Sequence, residues 1–276
     1  TVRGGPGADT ARWAVGDGAD DLDLGGQPID TAALVLTDQD DDVTIESAAG
    51  LSQVFLAGQP VLGIAGAAVI QLDLGAGDDV VDATAADVAV WADGGAGDDR
   101  FAGGAGNDRF DGADGEDTAD YADAPAGIAM ARFRARDGRG ATDGVSGVEI
   151  IVGSAFDDLI GATPGGQTVF GGAGNDRLLG GAGHDALYGE DGEDVLVAGG
   201  ADDILSGGLG DDTLIGSRGR NLLAWEPGND IYRLGRLDQL SYAAAPAAGI
   251  TVDRTTGEAR IGLEVDRLFG SGIIIG

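Results

Sequence analysis

The sequence predicts an all-β solenoid built from stacked coils of nine-residue repeats. Three observations support this prediction: a nine-residue period, one apolar residue at a fixed place in each repeat, and an excess of glycine and acid. The chain of 276 residues has 53 Gly, and its 48 Asp and Glu against 16 Lys and Arg give a formal net charge of −32. A fixed period of this kind is typical of repeat architectures, in which each repeat buries its apolar face only against its neighbours.

The composition excludes several classes of function. Clustered Lys and Arg are needed to contact phosphates, so we do not expect this acidic chain to bind nucleic acid. The chain has no Cys and one His, which excludes disulfides and disfavours Zn or Cu sites. No apolar run reaches the roughly 18 residues of a membrane span, so we predict no transmembrane segment.

The repeat is clearest between residues 153 and 233, where nine blocks of nine follow one another without a gap. Position 8 of the block is always apolar, and position 6 is Asp in seven blocks, with Gln167 and Asn221 in the other two. A shorter array in the same register fills 94–120. Related single copies occur at 4–12, 15–23 and 74–82.

The rest of the chain has the same spacing in a weaker form. Between 24 and 93, short β-branched runs recur mostly 8–11 residues apart, which predicts strands joined by tight turns. The segment from Tyr121 to Ile128 matches that from Tyr242 to Ile250, so a similar spacer follows each array. We therefore divide the chain into an irregular β-solenoid with isolated nonapeptides (1–93), a first array (94–120), a strand spacer (121–152), a second array (153–233) and a strand spacer or cap (234–276).

Each block combines a glycine-rich turn with a short strand. Glycine adopts positive φ without a Cβ clash and leaves its carbonyl uncovered, so a turn of this kind can direct several carbonyl oxygens at one point. An Asp carboxylate just after the turn completes an all-oxygen ligand set that suits Ca²⁺. Positions 7 to 9 alternate as a strand does, with position 8 inward. Two blocks then form a coil of about 18 residues, and each ion is expected between the turns of blocks n and n+2.

The candidate calcium ligands are the position-6 carboxylates and glycine carbonyls of the turns. The carboxylates are Asp9, Asp20, Asp79, Asp99, Asp108, Asp117, Asp158, Asp176, Asp185, Asp194, Asp203, Asp212 and Asp230. The glycines are Gly95, Gly97, Gly104, Gly106, Gly172, Gly174, Gly181, Gly183, Gly208 and Gly210. Solvated acidic turns are the alternative, but they do not explain an apolar residue always placed two positions later.

The two edges of the second array are expected to differ. On the first edge the position-6 residues form an unbroken acidic series: Asp158, Asp176, Asp194, Asp212 and Asp230. On the second edge the series is Gln167, Asp185, Asp203 and Asn221, with an uncharged amide at each end. We predict a complete series of ions on the first edge and ions only in the middle of the second.

The blocks match the pattern GGxGxDxUx, in which U is a large apolar residue, and residues 171–189 (GGAGNDRLLGGAGHDALYG) fit it over two copies. The sequence therefore resembles the repeats-in-toxin family of haemolysin-type calcium-binding repeats. This resemblance implies a right-handed parallel β-roll with calcium in the turns, folding triggered by calcium, and export by a type I secretion system. Binding free energy for the metal would then serve as folding free energy.

The expected function is that of a secreted, non-catalytic calcium-binding protein of the cell surface or extracellular matrix, a structural or adhesive element such as a surface layer, fibre or adhesin component. Its partners would be calcium and either itself or other surface components. The alternative is the calcium-binding C-terminal region of a type I secreted enzyme or toxin. A single His excludes an HExxH zinc protease within this chain, and Gly144–Val148 lacks the final Gly of a G-x-S-x-G motif.

Several residues lie outside the repeat logic. His184 occupies the variable position 5 and is expected to be a surface residue rather than a ligand. Trp13, Trp91 and Trp225 are expected to pack at the ends of coils, with sugar-binding platforms as the alternative. The only basic cluster is expected to be a solvated strand and loop, or else a contact for an acidic neighbour. It comprises Arg132, Arg134, Arg136 and Arg139.

Overall fold

The structure is a computed structural model that describes residues 2–3, 10–14, 20–23, 31–243, 251–253, 258–261 and 264–275. Every regular element in these ranges is a β-strand. No helix that could cross a membrane occurs among them. The chain forms two compact units: the first comprises Thr1–Asp123 and Phe133–Ile150, and the second comprises Ala124–Arg132 and Ile151–Gly276.

The strands are short and evenly spaced along the chain. The first sixteen are β1 Val2–Arg3, β2 Thr10–Ala14, β3 Asp20–Asp23, β4 Thr31–Val35, β5 Asp42–Ala48, β6 Leu51–Leu56, β7 Gln59–Ala65, β8 Val69–Asp73, β9 Val80–Ala85, β10 Ala89–Ala96, β11 Arg100–Ala102, β12 Arg109–Asp114, β13 Thr118–Asp120, β14 Ala129–Ala131, β15 Arg134–Arg136 and β16 Thr142–Ser146. The others are β17 Ile150–Val152, β18 Leu159–Gly161, β19 Thr168–Ala173, β20 Arg177–Leu179, β21 Ala186–Asp191, β22 Val195–Val197, β23 Ile204–Leu209, β24 Thr213–Ile215, β25 Leu222–Ala224, β26 Ile231–Leu234, β27 Gln239–Ser241, β28 Thr251–Asp253, β29 Glu258–Ile261, β30 Glu264–Gly270 and β31 Ile273–Ile275.

In the second unit, successive strands of the array alternate between two parallel sheets. One sheet has the order β17-β19-β21-β23-β25-β27-β31, and the other has β14-β18-β20-β22-β24-β26-β30-β29-β28. Leu178 pairs in register with Leu196, and Leu196 pairs with Leu214, so position 8 of one block meets position 8 of the next block but one. This register confirms the predicted coil of two nonapeptides.

The first unit follows the same plan with one departure. Its sheets have the orders β1-β3-β7-β6-β5-β9-β11-β13 and β2-β4-β8-β10-β12-β16-β15. The β-branched runs between 24 and 93 do form strands, but Asp42–Ala65 is an antiparallel meander rather than a parallel continuation of the solenoid. Tight turns with positive φ at Gly50 and Gly58 reverse the chain there. Such reversals join antiparallel strands, whereas a parallel connection between coils does not need them.

Each spacer also contributes antiparallel strands. β15 pairs with β16 in the first unit, and β28, β29 and β30 form an antiparallel set in the second. In both spacers one strand of the antiparallel set also continues the parallel ladder, as β16 pairs with β12 and β30 with β26. A spacer therefore leaves the coil and returns to it in register.

The core is a column of position-8 side chains between the two sheets. In the second array these side chains are 0–1 % exposed, which confirms the inward orientation expected from the repeat. They are Ile160, Val169, Leu178, Leu187, Leu196, Leu205, Leu214, Leu223 and Tyr232. Burying each one contributes roughly 1.5–3 kcal/mol, so a single coil with two such residues is too weak to persist without its neighbours.

The three tryptophans have different environments. Trp225 is 4 % exposed and stacks on Tyr242 with the ring centroids 6.2 Å apart, as expected for packing at the end of an array. Trp91 is 42 % exposed on an outer sheet face, so the expectation that it packs at a coil end is wrong. Trp91 lies between Val90 and Ala92 in β10, and both of these side chains point into the core. Because side chains alternate along a strand, the indole points outward. The side chain of Trp13 lies outside the described residues.

Candidate metal centres in the turns

The position-6 side chains of both arrays lie buried beneath the turns. Carboxylates are almost never this buried unless they are paired with a charge, a donor or a metal. In the second array Asp158, Gln167, Asp176, Asp185, Asp194, Asp203, Asp212, Asn221 and Asp230 are all at most 5 % exposed. In the first unit Asp79, Asp99, Asp108 and Asp117 are at most 2 % exposed.

One carboxylate oxygen of each buried Asp joins a hydrogen-bonded ladder. The backbone N–H of Asp158 donates to Asp176 Oδ1 at 2.8 Å, and that of Asp176 donates to Asp194 Oδ1 at 2.7 Å. The series continues through Asp212 to Asp230. Each step spans two nonapeptides, so every bond links equivalent turns of adjacent coils. We call this series the inner ladder of the first edge.

A separate inner ladder follows the second edge. Gln167 N–H donates to Asp185 Oδ1 at 2.8 Å, Asp185 to Asp203 at 2.9 Å, and Asp203 to Asn221 Oδ1 at 3.0 Å. The first unit contains the same kind of hydrogen bond, in which Asp79 N–H donates to Asp99 Oδ1 at 2.8 Å. The sorting of alternate blocks onto two edges therefore follows the prediction from the sequence.

The second carboxylate oxygen, Oδ2, has no hydrogen-bond donor in several of these residues. Among the described residues, the Oδ2 atoms of six position-6 residues are buried without a hydrogen bond: Asp79, Asp99, Asp117, Asp176, Asp194 and Asp203. A buried carboxylate oxygen without a donor or a counter-charge is costly. The donor set therefore fits a cation that would be held against these oxygens.

Backbone carbonyls face the same positions. A Cβ added at Gly171 would clash with Asp176 Oδ2 and lie 2.7 Å from the carbonyl oxygen of Gly189. At Gly189 the corresponding atoms are Asp194 Oδ2 and the carbonyl oxygen of Gly207. A carboxylate of block n and the position-1 carbonyl of block n+2 thus converge on one glycine. This is an all-oxygen set between adjacent coils, of the kind that Ca²⁺ prefers.

The position-1 glycines were not among the candidate residues, although their role follows from this geometry. Any side chain at Gly94, Gly112, Gly171 or Gly189 would occupy the space that faces the carboxylate oxygen. The repeated Gly at position 1 was the available sequence signal. The sequence predicts an exposed carbonyl at this glycine, and the structure shows that the missing side chain also keeps room beside the carboxylate.

The candidate glycines at positions 2 and 4 differ in backbone conformation. Six of them have positive φ, between +100° and +138°: Gly95, Gly97, Gly172, Gly174, Gly208 and Gly210. Gly104, Gly106, Gly181 and Gly183 do not have left-handed φ. There a Cβ would collide with the neighbouring coil, for example with Val88 and Ala89 at Gly106. An added Cβ in the first set would also clash with the neighbouring coil. The first set is therefore needed for both the turn conformation and the close approach of coils, and the second set for the close approach.

Burial and like charge shape the electrostatics of the inner ladders. Burial raises the pKa of Asp176 and Asp212 to about 7, against an ordinary value of 3.8, although a backbone hydrogen bond to each carboxylate partly offsets the effect. Neighbouring carboxylates add to it, since Asp158 and Asp194 both raise the pKa of Asp176. Burial also raises the pKa of Asp79, Asp108, Asp117, Asp194, Asp203 and Asp230 to about 6, and it raises that of Asp99, Asp158 and Asp185. The charged form of each carboxylate thus requires a counter-charge.

Protein donors occupy the second oxygen at the ends of the first edge. Asp158 Oδ2 accepts from Ser154 N–H at 2.6 Å, and Asp230 Oδ2 accepts from the Tyr232 hydroxyl at 2.9 Å. On the second edge, Asp185 Oδ2 accepts from Gly181 N–H at 2.6 Å. The predicted difference in ion content between the edges stays a prediction, with Asp176 and Asp194 as the best-formed candidates.

Residues outside the nonapeptides extend the ladders, and sequence reasoning missed them. Glu149 Oε2 accepts from Asp117 N–H at 3.0 Å, and Asp143 Oδ1 accepts from Asp108 N–H at 3.0 Å. In the second unit, the corresponding acceptors are Asp238, for Asn221 N–H, and Asp266, for Asp230 N–H. The matching Val-Glu and Val-Asp pairs of the two spacers were a signal for Glu149 and Asp266. No nine-residue spacing marks Asp143 or Asp238.

An outer ladder at position 5 accompanies the inner one and runs in the opposite direction. Asn175 N–H donates back to Asp157 Oδ1, and Glu193 N–H donates back to Asn175 Oδ1, both at 2.8 Å. His184 belongs to this exposed series, since Asp202 N–H donates to its Nδ1 at 3.3 Å. His184 therefore lies at the surface, as expected, and supports the turn.

Two candidates cannot be located in this arrangement. Asp9 lies outside the described residues, and Asp20 begins β3 but its side chain lies outside them too. In the part of the chain that the structure describes, no group of three or more acidic or His side chains gathers around one point. A cation in these turns would therefore depend on backbone carbonyls as well as on one or two carboxylates.

A model of the RTX calcium-binding nonapeptide repeat matches the chain in four copies, over residues 91–119, 162–196, 188–223 and 197–232. These segments are repeats-in-toxin nonapeptide repeats. They contain most of the buried position-6 residues of both units. No curated protein matches the chain significantly.

Proposed function

We propose that this chain is a secreted, non-catalytic structural or adhesive component of a cell surface or extracellular matrix that folds when it binds calcium. The observation that supports the calcium part most strongly is the column of buried, unpartnered Oδ2 atoms in successive coils. The family to which the repeats belong supports export by type I secretion and an extracellular location.

The chain's own residues would hold the ion in a repeated way. Each site would use the Oδ2 of a position-6 Asp and the position-1 carbonyl of the next coil on the same edge, for example Asp176 with Gly189 and Asp194 with Gly207. Bound calcium would neutralise the buried carboxylates and bridge adjacent coils. The inner-ladder hydrogen bonds then hold the carboxylates in position, and the position-8 side chains close the core.

The proposed switch follows from the charge of the chain. With 48 acidic residues against 16 basic ones, the metal-free arrays bring like charges together in buried ladders, which opposes stacking. At the 10⁻⁴ to 10⁻³ M calcium typical of extracellular sites, about two charges per ion are neutralised. We propose the same division of the chain as above, in which the two arrays are the calcium-dependent segments and the spacers close them.

Far-UV circular dichroism of the full chain with and without a chelator tests this proposal. Strand content should fall when calcium is removed and return when it is added, while magnesium at the same concentration should restore much less, because it demands tighter octahedral geometry. Strand content that is unchanged after calcium removal would contradict the folding switch.

The structural or adhesive role is supported by the outer face of one sheet in the second unit. Ile204 pairs in register with Leu222, and Gln239 pairs with Ile273 further along the same row. The three apolar side chains are 45 %, 37 % and 54 % exposed. An exposed apolar row on a repetitive surface is suited to contact with other surface components. Ordered filaments or sheets on addition of calcium would support this role, whereas a strictly monomeric protein that attaches to no surface would contradict it.

A further inference from the structure

One outer sheet face of the first unit presents a large aromatic side chain, the indole of Trp91. Trp91 lies in the middle of β10, and its in-register neighbours are Gln71 on β8 and Arg109 on β12. Since adjacent strands are about 4.8 Å apart, the three side chains form a row about 10 Å long. The next strands place Ala33 and Gly144 in the same row. Gln71 and Arg109 flank the indole directly, and beyond the two small residues the row continues to Arg12 on β2 and Arg134 on β15.

A second row on the same face, two residues further along the strands, is acidic. Asp73, Asp93 and Asp111 pair in register. Because Asp93 lies two residues after Trp91, these side chains are on the same face of the sheet as Trp91. Arg109 Nη2 lies 3.7 Å from Asp111 Oδ2, and both side chains stay largely exposed. The two rows border an open cavity of about 140 Å³ whose polar and aromatic lining is Gln71, Trp91, Asp93, Arg109 and Asp111.

We propose that this surface binds a neutral polysaccharide, with one sugar ring stacked on the indole of Trp91. An aromatic ring offers a flat apolar face to the C–H face of a sugar at little conformational cost. The sugar hydroxyls would donate to the Asp93 and Asp111 carboxylates and accept from the Arg109 guanidinium and the Gln71 amide. The cavity is smaller than a usual small-molecule pocket, so it suits one ring of a longer chain that continues over the sheet.

The charges around Trp91 distinguish this ligand from two others. A cation above the indole would lie beside Arg109, and an anionic polymer would lie beside three carboxylates. A neutral polyhydroxylated ring can hydrogen-bond to these donors and acceptors without charge repulsion from Arg109 or from the carboxylates. The surface uses none of the buried position-6 residues, so the inference goes beyond calcium-dependent folding. The polysaccharide proposal can therefore be wrong while the calcium proposal is right.

Affinity gel electrophoresis of the full chain in calcium tests the proposal, with dextran, laminarin and hydroxyethyl cellulose as neutral polymers and alginate as the anionic one. At least one neutral polymer should retard the protein. Trp91→Ala should weaken the apparent affinity at least tenfold, and Asp93→Asn should weaken it less. Phe156→Ala, which removes an aromatic side chain that is 47 % exposed in the second unit, should migrate like the parent protein.

A second measurement keeps the test valid if Trp91→Ala does not fold, which circular dichroism in calcium will reveal. In a Trp13→Phe variant, the retarding polymer should protect tryptophan fluorescence from acrylamide quenching, because of the two remaining tryptophans Trp91 is exposed and Trp225 is buried. Retardation by none of the neutral polymers, equal retardation of a folded Trp91→Ala variant, or Trp91-dependent retardation by alginate would each overturn the proposal. Displacement of the polymer by tetramethylammonium would point to a cation site and would also overturn it.

Discussion

At the scale of the residue, each buried Asp of the inner ladder uses its two oxygens differently. Oδ1 accepts a backbone N–H from the preceding coil, so it contributes to stacking whether or not a cation is present. Oδ2 at Asp176 and Asp194 has no protein partner, so its burial is unfavourable until a counter-charge arrives. The same side chain therefore favours the coil through one atom and makes it depend on metal through the other.

Asp194→Asn separates these two roles, because an Asn side chain keeps Oδ1 as an acceptor for Asp176 N–H and loses the charge. We expect calcium affinity at this turn to fall about tenfold or more. In chelator the variant should be more stable than the parent, since one repelling charge is gone. Glu193→Gln, which removes an exposed charge next to it, is the matched control for calcium titrations followed by circular dichroism. Equal calcium affinities of parent and Asp194→Asn would contradict the assignment.

The space at the position-1 glycines gives a steric prediction. Gly171→Ala places a methyl group against Asp176 Oδ2 and the Gly189 carbonyl, so it should destabilise the calcium-bound protein by about 1–3 kcal/mol and weaken calcium binding. Gly165→Ala is the control, because no atom lies within 4 Å of its added Cβ. Urea unfolding in saturating calcium measures both, and equal midpoints would show that the position-1 space is not needed.

At the scale of the element, a three-residue strand is stable only as one rung of a stack. β22 places Leu196 in the core, fully buried, and pairs with β20 and β24 on either side. The strands are longer at β19, β21 and β23, where the turn residues pair too. These longer strands lead into the turns of the first edge, so pairing there extends to the glycines that border the Asp176 and Asp194 carboxylates.

A core truncation in the middle of the stack tests this dependence. Leu196→Ala leaves a cavity that β20 and β24 cannot fill, and it should cost about 2–5 kcal/mol in saturating calcium. Val195→Ala, one position away and half-exposed, should cost much less. Urea unfolding followed by circular dichroism makes the comparison. A similar loss for both variants would contradict the inward column as the main source of stability.

At the scale of the whole molecule, the acidic excess is concentrated in ladders whose charge is set by protons or by metal. Metal-free carboxylates in the folded arrays have pKa values of about 6 to 7 at Asp176, Asp194 and Asp212, against 3.8 for an ordinary Asp. A group with a raised pKa in the folded state contributes stability at pH values below its unfolded pKa, and that contribution is lost as the pH rises through its folded pKa. Protons can therefore take the place of a counter-charge.

In chelator, we expect strand content to rise as the pH falls from about 8 through 7 and 6 toward 4. In limiting calcium the effect of pH should be the opposite, because protons compete with calcium for the same oxygens. The apparent calcium affinity should therefore fall as the pH falls. Circular dichroism across this pH range, with and without chelator, measures both effects. Strand content in chelator that is independent of pH would contradict the raised pKa values.

The sequence by itself determined the local and periodic part of this protein. A glycine turn, an Asp and an inward apolar residue recur within each nonapeptide, and these short-range preferences predict the strand, the coil of two blocks and the two edges. The meander of Asp42–Ala65 lacks that period, so its antiparallel pairing was not predicted.

Only the tertiary structure decided which groups from outside the regular arrays meet between coils. Asp143 and Asp266 join the inner ladders across long excursions of the chain through the spacers, and Trp91 obtains its polar surroundings from the neighbouring strands β8 and β12. Their neighbours depend on how coils stack, and stacking is set by the register of the sheets rather than by any preference within a block.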